Sequence, residues 1–242
     1  MAHHPTGTRG LMRLLFVASD PMEFRGMLAY VENAKTTRSA LGWSTAGTLR
    51  DHEVRLAANG AGWTPAGAAV DAACFTMRPD AVISTGFCGA VDPALRIADV
   101  VVGTCVTGPA RRFTALPVRS NTCFRTGAVA SIDHVAGSAK EKRALRAQGA
   151  SVVEMEAAGV AARAEALGLP FYCVRAVTDL AGEDMANDFN RSLRSDGHFA
   201  TMHIFRHALR HPVARIPELV RLRGFCERAA RTLGEFFADC QF

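Results

Sequence analysis

Residues 151–179 read SVVEMEAAGVAARAEALGLPFYCVRAVTD, and this stretch decides the fold class. Val152 and Val153 end a short strand. From Met155 to Leu167 the apolar residues recur at helical spacing, and Gly168 supplies a C-terminal stop. Pro170 to Val177 is then a continuous apolar run of the kind that forms a buried strand. A strand, a helix and a buried strand in succession point to an α/β sheet layered between helices.

The flanking sequence repeats the alternation. Arg13 to Ala18 (RLLFVA) is a first buried strand, and Asp20-Pro21 opens a helix after it. Trp43 to Leu49 and Glu53 to Ala58 form a hairpin, and the Gly-rich turn Asn59 to Gly62 leads to an Ala-rich helix, Pro65 to Met77. Asp80 to Thr85 is a strand that runs into the turn Gly86-Phe87-Cys88-Gly89. Asp99 to Val106 and Arg125 to Ser131 are further strands, and Ala139 to Gln148 is helical. The expected architecture is one domain over 13–242, a central twisted mixed β-sheet flanked by helices, behind a loose N-terminal segment, 1–12. Phe199 to Leu209 and Ile216 to Phe237 read as two amphipathic helices around His211-Pro212, giving a basic C-terminal part, 199–238.

Composition narrows the function classes. With 49% hydrophobic and 21% charged residues over 242 positions, the chain has the balance of a soluble globular protein. It holds no apolar run of the ~20 residues a membrane-spanning helix needs. The polar start, with two histidines before any apolar segment, does not read as a secretory signal. Its seven cysteines are scattered without a CxxC pair, which suits reduced thiols in the cytoplasm and argues against a metal site; no cofactor is expected. The net charge of +5 comes with no nucleic-acid-binding motif, so nucleic acid is not an expected partner. The arginines gather in the C-terminal helices. Those helices either pack on the sheet as surface helices or present a basic face to an anionic membrane or a lipid-like substrate.

Ligands of α/β sheets bind beyond the carboxyl ends of the strands. Asp20 and Glu23, Gly86 to Gly89, Glu154 and Glu156, and Asp179 each stand just past such an end, so they can converge on one pocket. An acidic residue in that position also serves as a plain helix cap.

The pairing of Val153-Glu154-Met155-Glu156-Ala157 with Arg175-Ala176-Val177-Thr178-Asp179 resembles the nucleoside phosphorylase and nucleosidase superfamily. Ser84 to Gly103 looks like that family's glycine-turn strand unit, and Arg13 to Phe24 like its first strand and catalytic turn. The resemblance implies a purine nucleoside as substrate and cleavage of its N-glycosidic bond. Asp179 matches the acid that protonates the departing base, a role that requires burial to keep its proton near neutral pH. Thr178 stands where the family has Ser and would orient it. Glu156 matches the glutamate that binds the ribose hydroxyls and faces the developing sugar cation. Glu154 and Met155 accompany it, Met155 packing under the ribose. His134 and Val135 align with the loop over the base, where one residue stacks on the purine and the backbone of the next reads its edge.

The nucleophile follows from what the anion site lacks. The family's phosphorylases hold phosphate with arginines and a serine, and those positions align here with Glu23, Ser84 and Phe87. A carboxylate in that place repels phosphate, whereas the nucleosidases use a glutamate there to activate water. Glu23 is therefore the expected base and hydrolysis the expected reaction, against phosphorolysis with Arg25 in a displaced anion site and against a catalytically inactive nucleoside-binding module. Phe87 and Gly86 would meet the sugar end, with Phe87 favouring a more apolar 5′ substituent. The sequence from Ser195 through Ile216-Pro217-Glu218-Leu219-Val220-Arg221-Leu222 is similar to the tail of hopanoid-associated phosphorylase-like proteins, which implies an adenosyl-hopane lipid beside methylthioadenosine and S-adenosylhomocysteine as candidate substrates. The family also implies a homodimer.

Overall fold

A computed structural model describes residues 11–39 and 42–242. The loose N-terminal segment expected over 1–12 lies, up to residue 10, outside the described residues. Among the described residues, ten strands form one mixed sheet: β1 (Arg13–Ala18), β2 (Val31–Ser39), β3 (Gly42–Leu49), β4 (His52–Ala58), β5 (Ala81–Ala90), β6 (Val100–Thr107), β7 (Arg112–Thr114), β8 (Arg125–Ser131), β9 (Val152–Glu154) and β10 (Phe171–Asp179). The helices are α1 (Arg25–Leu28), α2 (Trp63–Cys74), α3 (Ala139–Ala147), α4 (Ala157–Ala166), α5 (Thr201–Ala208) and α6 (Pro212–Asp239).

Alternation along the strands sorts side chains between two helix layers. Leu15 and Val17 of β1 face the cluster built with Ala66, Val70, Val160 and Ala161 of α2 and α4. Leu14 and Phe16 face the opposite cluster, where Phe24 and Met27 meet Leu233, Phe236 and Phe237 of α6. Phe237 lies edge-on to Phe16 at 5.1 Å between ring centres. The inner half of α6 is thus core, while its outer arginines stay on the surface.

The strand pairing positions everything that follows. β5, β10, β6, β8 and β9 return on themselves, since β9 pairs with β5 as well as with β8. β1, β4, β3 and β2 extend from β5 as an arm. Residues 81–84 of β5 pair with β1, but Gly89 and Ala90 pair with β9. The sheet therefore splits along β5 between Ser84 and Gly89.

Several elements depart from the expectation. Gly86 to Gly89 is not a turn but the continuation of β5. Asp20-Pro21 opens a single 3-10 turn, Pro21–Phe24, and α1 after it is only four residues long. β2 was not foreseen: its sequence VENAKTTRS lacks an apolar face, and it is held by its ladder with β3. β10 runs through Asp179, with a register shift between Val177 and Asp179. The last helix starts at Pro212, where a proline fits the first turn, and Pro217 is accommodated further in.

α1 and α6 touch through backbone. A Cβ on Gly234 would fall 2.2 Å from the Gly26 carbonyl carbon, so neither helix can move in without strain. Gly234→Ala is expected to cost about 1–3 kcal/mol, as overpacking does. The measurement is the shift in denaturant midpoint, and an unchanged midpoint would refute the close approach.

Candidate active site

The split in the sheet opens into a cavity of about 390 Å³. Its wall takes Glu23 from the turn after β1, Phe87 from β5, Glu154, Met155 and Glu156 from the end of β9, Thr178 and Asp179 from the end of β10, and His134 and Val135 from the loop after β8. Every one of these residues was singled out from sequence. Gly86 backs the wall rather than lining it. Its φ of 131° is costly for a side chain, and a Cβ there would fall 2.4 Å from Glu23 Oε1.

Glu23 does two jobs. As the third residue of its turn it completes a capping box with Asp20. Its Oε2 accepts hydrogen bonds from the Ser19 and Asp20 amides at 2.8 and 2.9 Å and from the Ser19 hydroxyl at 2.9 Å. Oε1 accepts one, from the Phe87 amide at 2.6 Å. Oε1, with one donor against the three on Oε2, keeps capacity to accept from a water. Burial raises the Glu23 pKa above the ordinary carboxylate range, against the pull of its amide donors.

Glu154 and Glu156 point to different tasks. Glu154 Oε2 accepts from the Glu156 and Ala157 amides at 2.9 and 2.8 Å, capping α4, and from the Arg175 guanidinium. Its Oε2 serves the scaffold, while Oε1 has no hydrogen-bond partner among the described residues and Glu154 still lines the cavity. Arg175 is fully buried and also donates to Ser84 Oγ at 2.7 Å. Glu156 Oε1 accepts from the Gly62 amide at 3.1 Å. Burial first, then repulsion from Glu154, pushes the Glu156 carboxyl up to about 8, partly offset by Arg175. Burial thus holds the Glu156 carboxyl above the ordinary carboxylate range, and a cationic sugar beside it would favour the carboxylate.

Asp179 is different again. Its side chain is 16% exposed and lies against the ammonium of Lys142, whose own side chain is fully buried. Its burial comes with an ion pair, and it stands at the register shift of β10 opposite Gly89. The Thr178 hydroxyl lies 3.3 Å from both Asp179 Oδ1 and the Cys88 carbonyl and can donate to either.

At the base end the Val135 backbone already has a partner. The Val135 amide, expected to read a purine edge, donates to Asn190 Oδ1 at 2.8 Å, and its carbonyl accepts from Asn190 Nδ2 at 3.0 Å. A carboxamide, one acceptor beside one donor, holds that edge. His134 is gripped by Asp133 at 2.7 Å and Glu141 at 2.5 Å, and these bonds raise its pKa.

Sequence reading missed the far wall, to which Met22, Phe189, Phe199, Ile204, Leu222 and Cys226 contribute. It also missed Lys142, although a signal existed. Ala139, Lys142 and Leu145 share one face of α3 at three-residue spacing, which puts a lysine where an apolar residue belongs. Among the described residues, no helix is long and apolar enough to cross a membrane.

The family described as the phosphorylase superfamily matches residues 13–117 and 118–202. A 5′-methylthioadenosine/S-adenosylhomocysteine nucleosidase of Staphylococcus aureus (strain JH9) is 27% identical over 176 residues, covering 61% of this chain and 77% of the relative. Among solved structures, the nucleosidase of that type from Helicobacter pylori superposes with a TM-score of 0.70 at 17% identity, over 94% of this chain and 97% of the other. The futalosine hydrolase of Helicobacter pylori gives 0.70 at 16% identity, over 93% and 95%. At these identities the structural likeness is one of fold.

Burial of the Glu156 acid has a stability consequence. Its folded pKa lies above the ordinary 4.5, so its contribution is fully present below about pH 4.5 and is lost as pH rises through about 8. Glu156→Gln is expected to melt at least about 3 °C above the parent protein at pH 9 and to match it at pH 5, with each kcal/mol worth about 2–4 °C at this size. Parallel melting curves from pH 5 to 9 would contradict the burial of this carboxyl.

Proposed function

The chain belongs to the phosphorylase superfamily, and from that premise we propose that it is a purine nucleosidase, hydrolysing the N-glycosidic bond of an adenosyl-type nucleoside. The observation that carries this reading is the meeting of Asp179, Glu156 and Glu23 around one cavity, from three separate strand ends.

Leaving-group departure needs a proton on the base and stabilisation of an oxocarbenium-like sugar. Asp179, steadied by Thr178, supplies the proton to the imidazole ring. Glu156 binds the ribose hydroxyls and faces the developing positive charge, with Met155 beneath the sugar. Glu23 Oε1 holds the attacking water and takes its proton. His134 covers the base, and Val135 meets its edge once the Asn190 carboxamide gives way.

Water is favoured over phosphate by the charges present. A phosphate dianion needs cationic donors, yet the buried cations here already face carboxyl groups, Arg175 donating to Glu154 and Ser84 and Lys142 to Asp179. Ser84 is itself buried, and Phe87 fills the remaining position of the family's anion site.

The 5′ substituent is read as apolar. Met22, Phe87, Phe199, Ile204 and Leu222 line the cavity, two of them from α5 and α6. Methylthioadenosine, S-adenosylhomocysteine and an adenosyl-hopane lipid are the candidate substrates, in order of increasing apolar bulk except for the charged tail of the second. Around that wall, Met202, Leu209, Val213 and Val220 are exposed beside the exposed Arg206, Arg210, Arg221 and Arg223. Such a surface suits peripheral contact with an anionic membrane that presents the lipid.

Incubation with each nucleoside should release free adenine at the same rate with and without phosphate. Formation of ribose-1-phosphate, with turnover that requires phosphate, would replace hydrolysis by phosphorolysis. Asp179→Asn is expected to lower kcat about 100-fold or more with little change in binding, because its proton matters in the transition state. Glu156→Gln should lower kcat and raise KM together. Binding of adenine without release from any substrate would leave only a nucleoside-binding module.

A further inference from the structure

The hydrolysis just described gives Lys142 no task, yet its side chain is fully buried on α3. Burying an ammonium costs several kcal/mol unless its partners compensate. Two partners do: Asp179 Oδ2, and the Leu180 carbonyl at 2.7 Å. Other charges near the pair have partners of their own. In the loop after β10, Glu183 faces Arg221 of α6 at 3.9 Å and Asp184 accepts from the Ala139 amide at 2.7 Å. Glu218 of α6 accepts from the Ala186 amide at 2.7 Å, and Glu141, beside Lys142 on α3, is held by His134. The nearby thiols of Cys88 and Cys226 are pushed up chiefly by burial and stay neutral. The ammonium is left to Asp179.

An ammonium in contact with a carboxyl group favours its ionised form. A lone Asp179 carboxylate has no proton to give, whereas the pair has one, on nitrogen. We propose that Lys142 is a positioning residue that both fixes the Asp179 carboxylate and holds the proton delivered through it, the two side chains acting as one donor. This rests on the nucleosidase reading above. As the glycosidic C–N bond breaks, its electron pair passes to the base. Asp179 gives a proton to the imidazole nitrogen and receives one from Lys142 Nζ, leaving a neutral amine. Water adds its oxygen to the anomeric carbon and its proton to Glu23. Glu23 then returns that proton to solvent, and Lys142 regains one.

The test is the pH profile of kcat/KM for adenine release, on the parent protein and on Lys142→Met. The parent protein is expected to keep its activity to alkaline pH, where amines rather than carboxyl groups titrate. In Lys142→Met the donor is a lone carboxyl group, so the alkaline limb should move at least about 2 pH units toward acid. Activity at pH 8 should then fall about 30-fold or more, with less than about 5-fold lost at pH 5.5. A loss of equal size at every pH, or no loss, would reduce Lys142 to scaffolding and overturn the proposal. Adenine binding and the melting temperature at pH 5.5 report whether the variant folds. If it does not, the parent profile decides alone: an alkaline limb below about pH 7 overturns the proposal. A parent protein that releases no base from any nucleoside overturns the nucleosidase reading itself, and this one with it.

Discussion

Buried charge is the constraint around which this molecule is arranged. Three carboxyl groups, Glu23, Glu154 and Glu156, sit almost out of reach of solvent at one place in the sheet. Together they would repel one another and lose their hydration. The fully buried Arg175 stands under them, bonded to Glu154 and Ser84 and close enough to influence Glu156 and Glu23. Burial works against its own charge, and the carboxylates, Glu154 foremost, outweigh that and hold it above the ordinary arginine range. One cation faces three carboxyl groups, and burial with their mutual repulsion pushes Glu156 up to about 8 and Glu23 above the ordinary carboxylate range. A carboxyl group poised to ionise when a positive charge appears next to it is well suited to an oxocarbenium-like sugar.

The same economy of parts runs through the rest of the site. Glu23 closes the capping box that turns the chain after β1, and the geometry that satisfies its Oε2 leaves Oε1 with one donor, the Phe87 amide, in a residue that lines the cavity. Glu154 caps α4 and anchors Arg175. Gly86 and Gly89 are small because carboxylates come where their side chains would be: a Cβ on Gly89 would fall 2.7 Å from Asp179 Oδ2. The fold and the chemistry thus share atoms. The sheet splits along β5, and the split gives the strand ends a common opening.

Much of this was legible because it is written locally. The helical spacing and the continuous apolar run in 151–179 report burial on a helix or strand without reference to the rest of the chain, and the α/β architecture followed from them. VEMEA and RAVTD placed Glu156 and Asp179 at strand ends, and both line the cavity. β2 was not legible, because a polar strand held by its neighbour carries no pattern of its own. Gly86 to Gly89 resembled a turn because glycines signal one; here they make room for Glu23 and Asp179 within a strand.

What the sequence by itself determined is therefore the class of fold, the order of its elements apart from β2 and β7, and which carboxylates stand at strand ends. Tertiary structure alone decided the state of those carboxylates. Whether an acid is protonated depends on burial and on the charges brought against it from distant segments. Lys142 reaches Asp179 from another helix, Arg175 reaches Glu154 from another strand, and Asn190 meets Val135 across two loops. The apolar far wall of the cavity likewise exists only because α5 and α6 fold back over the split in the sheet. Proximity in space, not along the chain, sets electrostatic energy, and a linear pattern does not contain it.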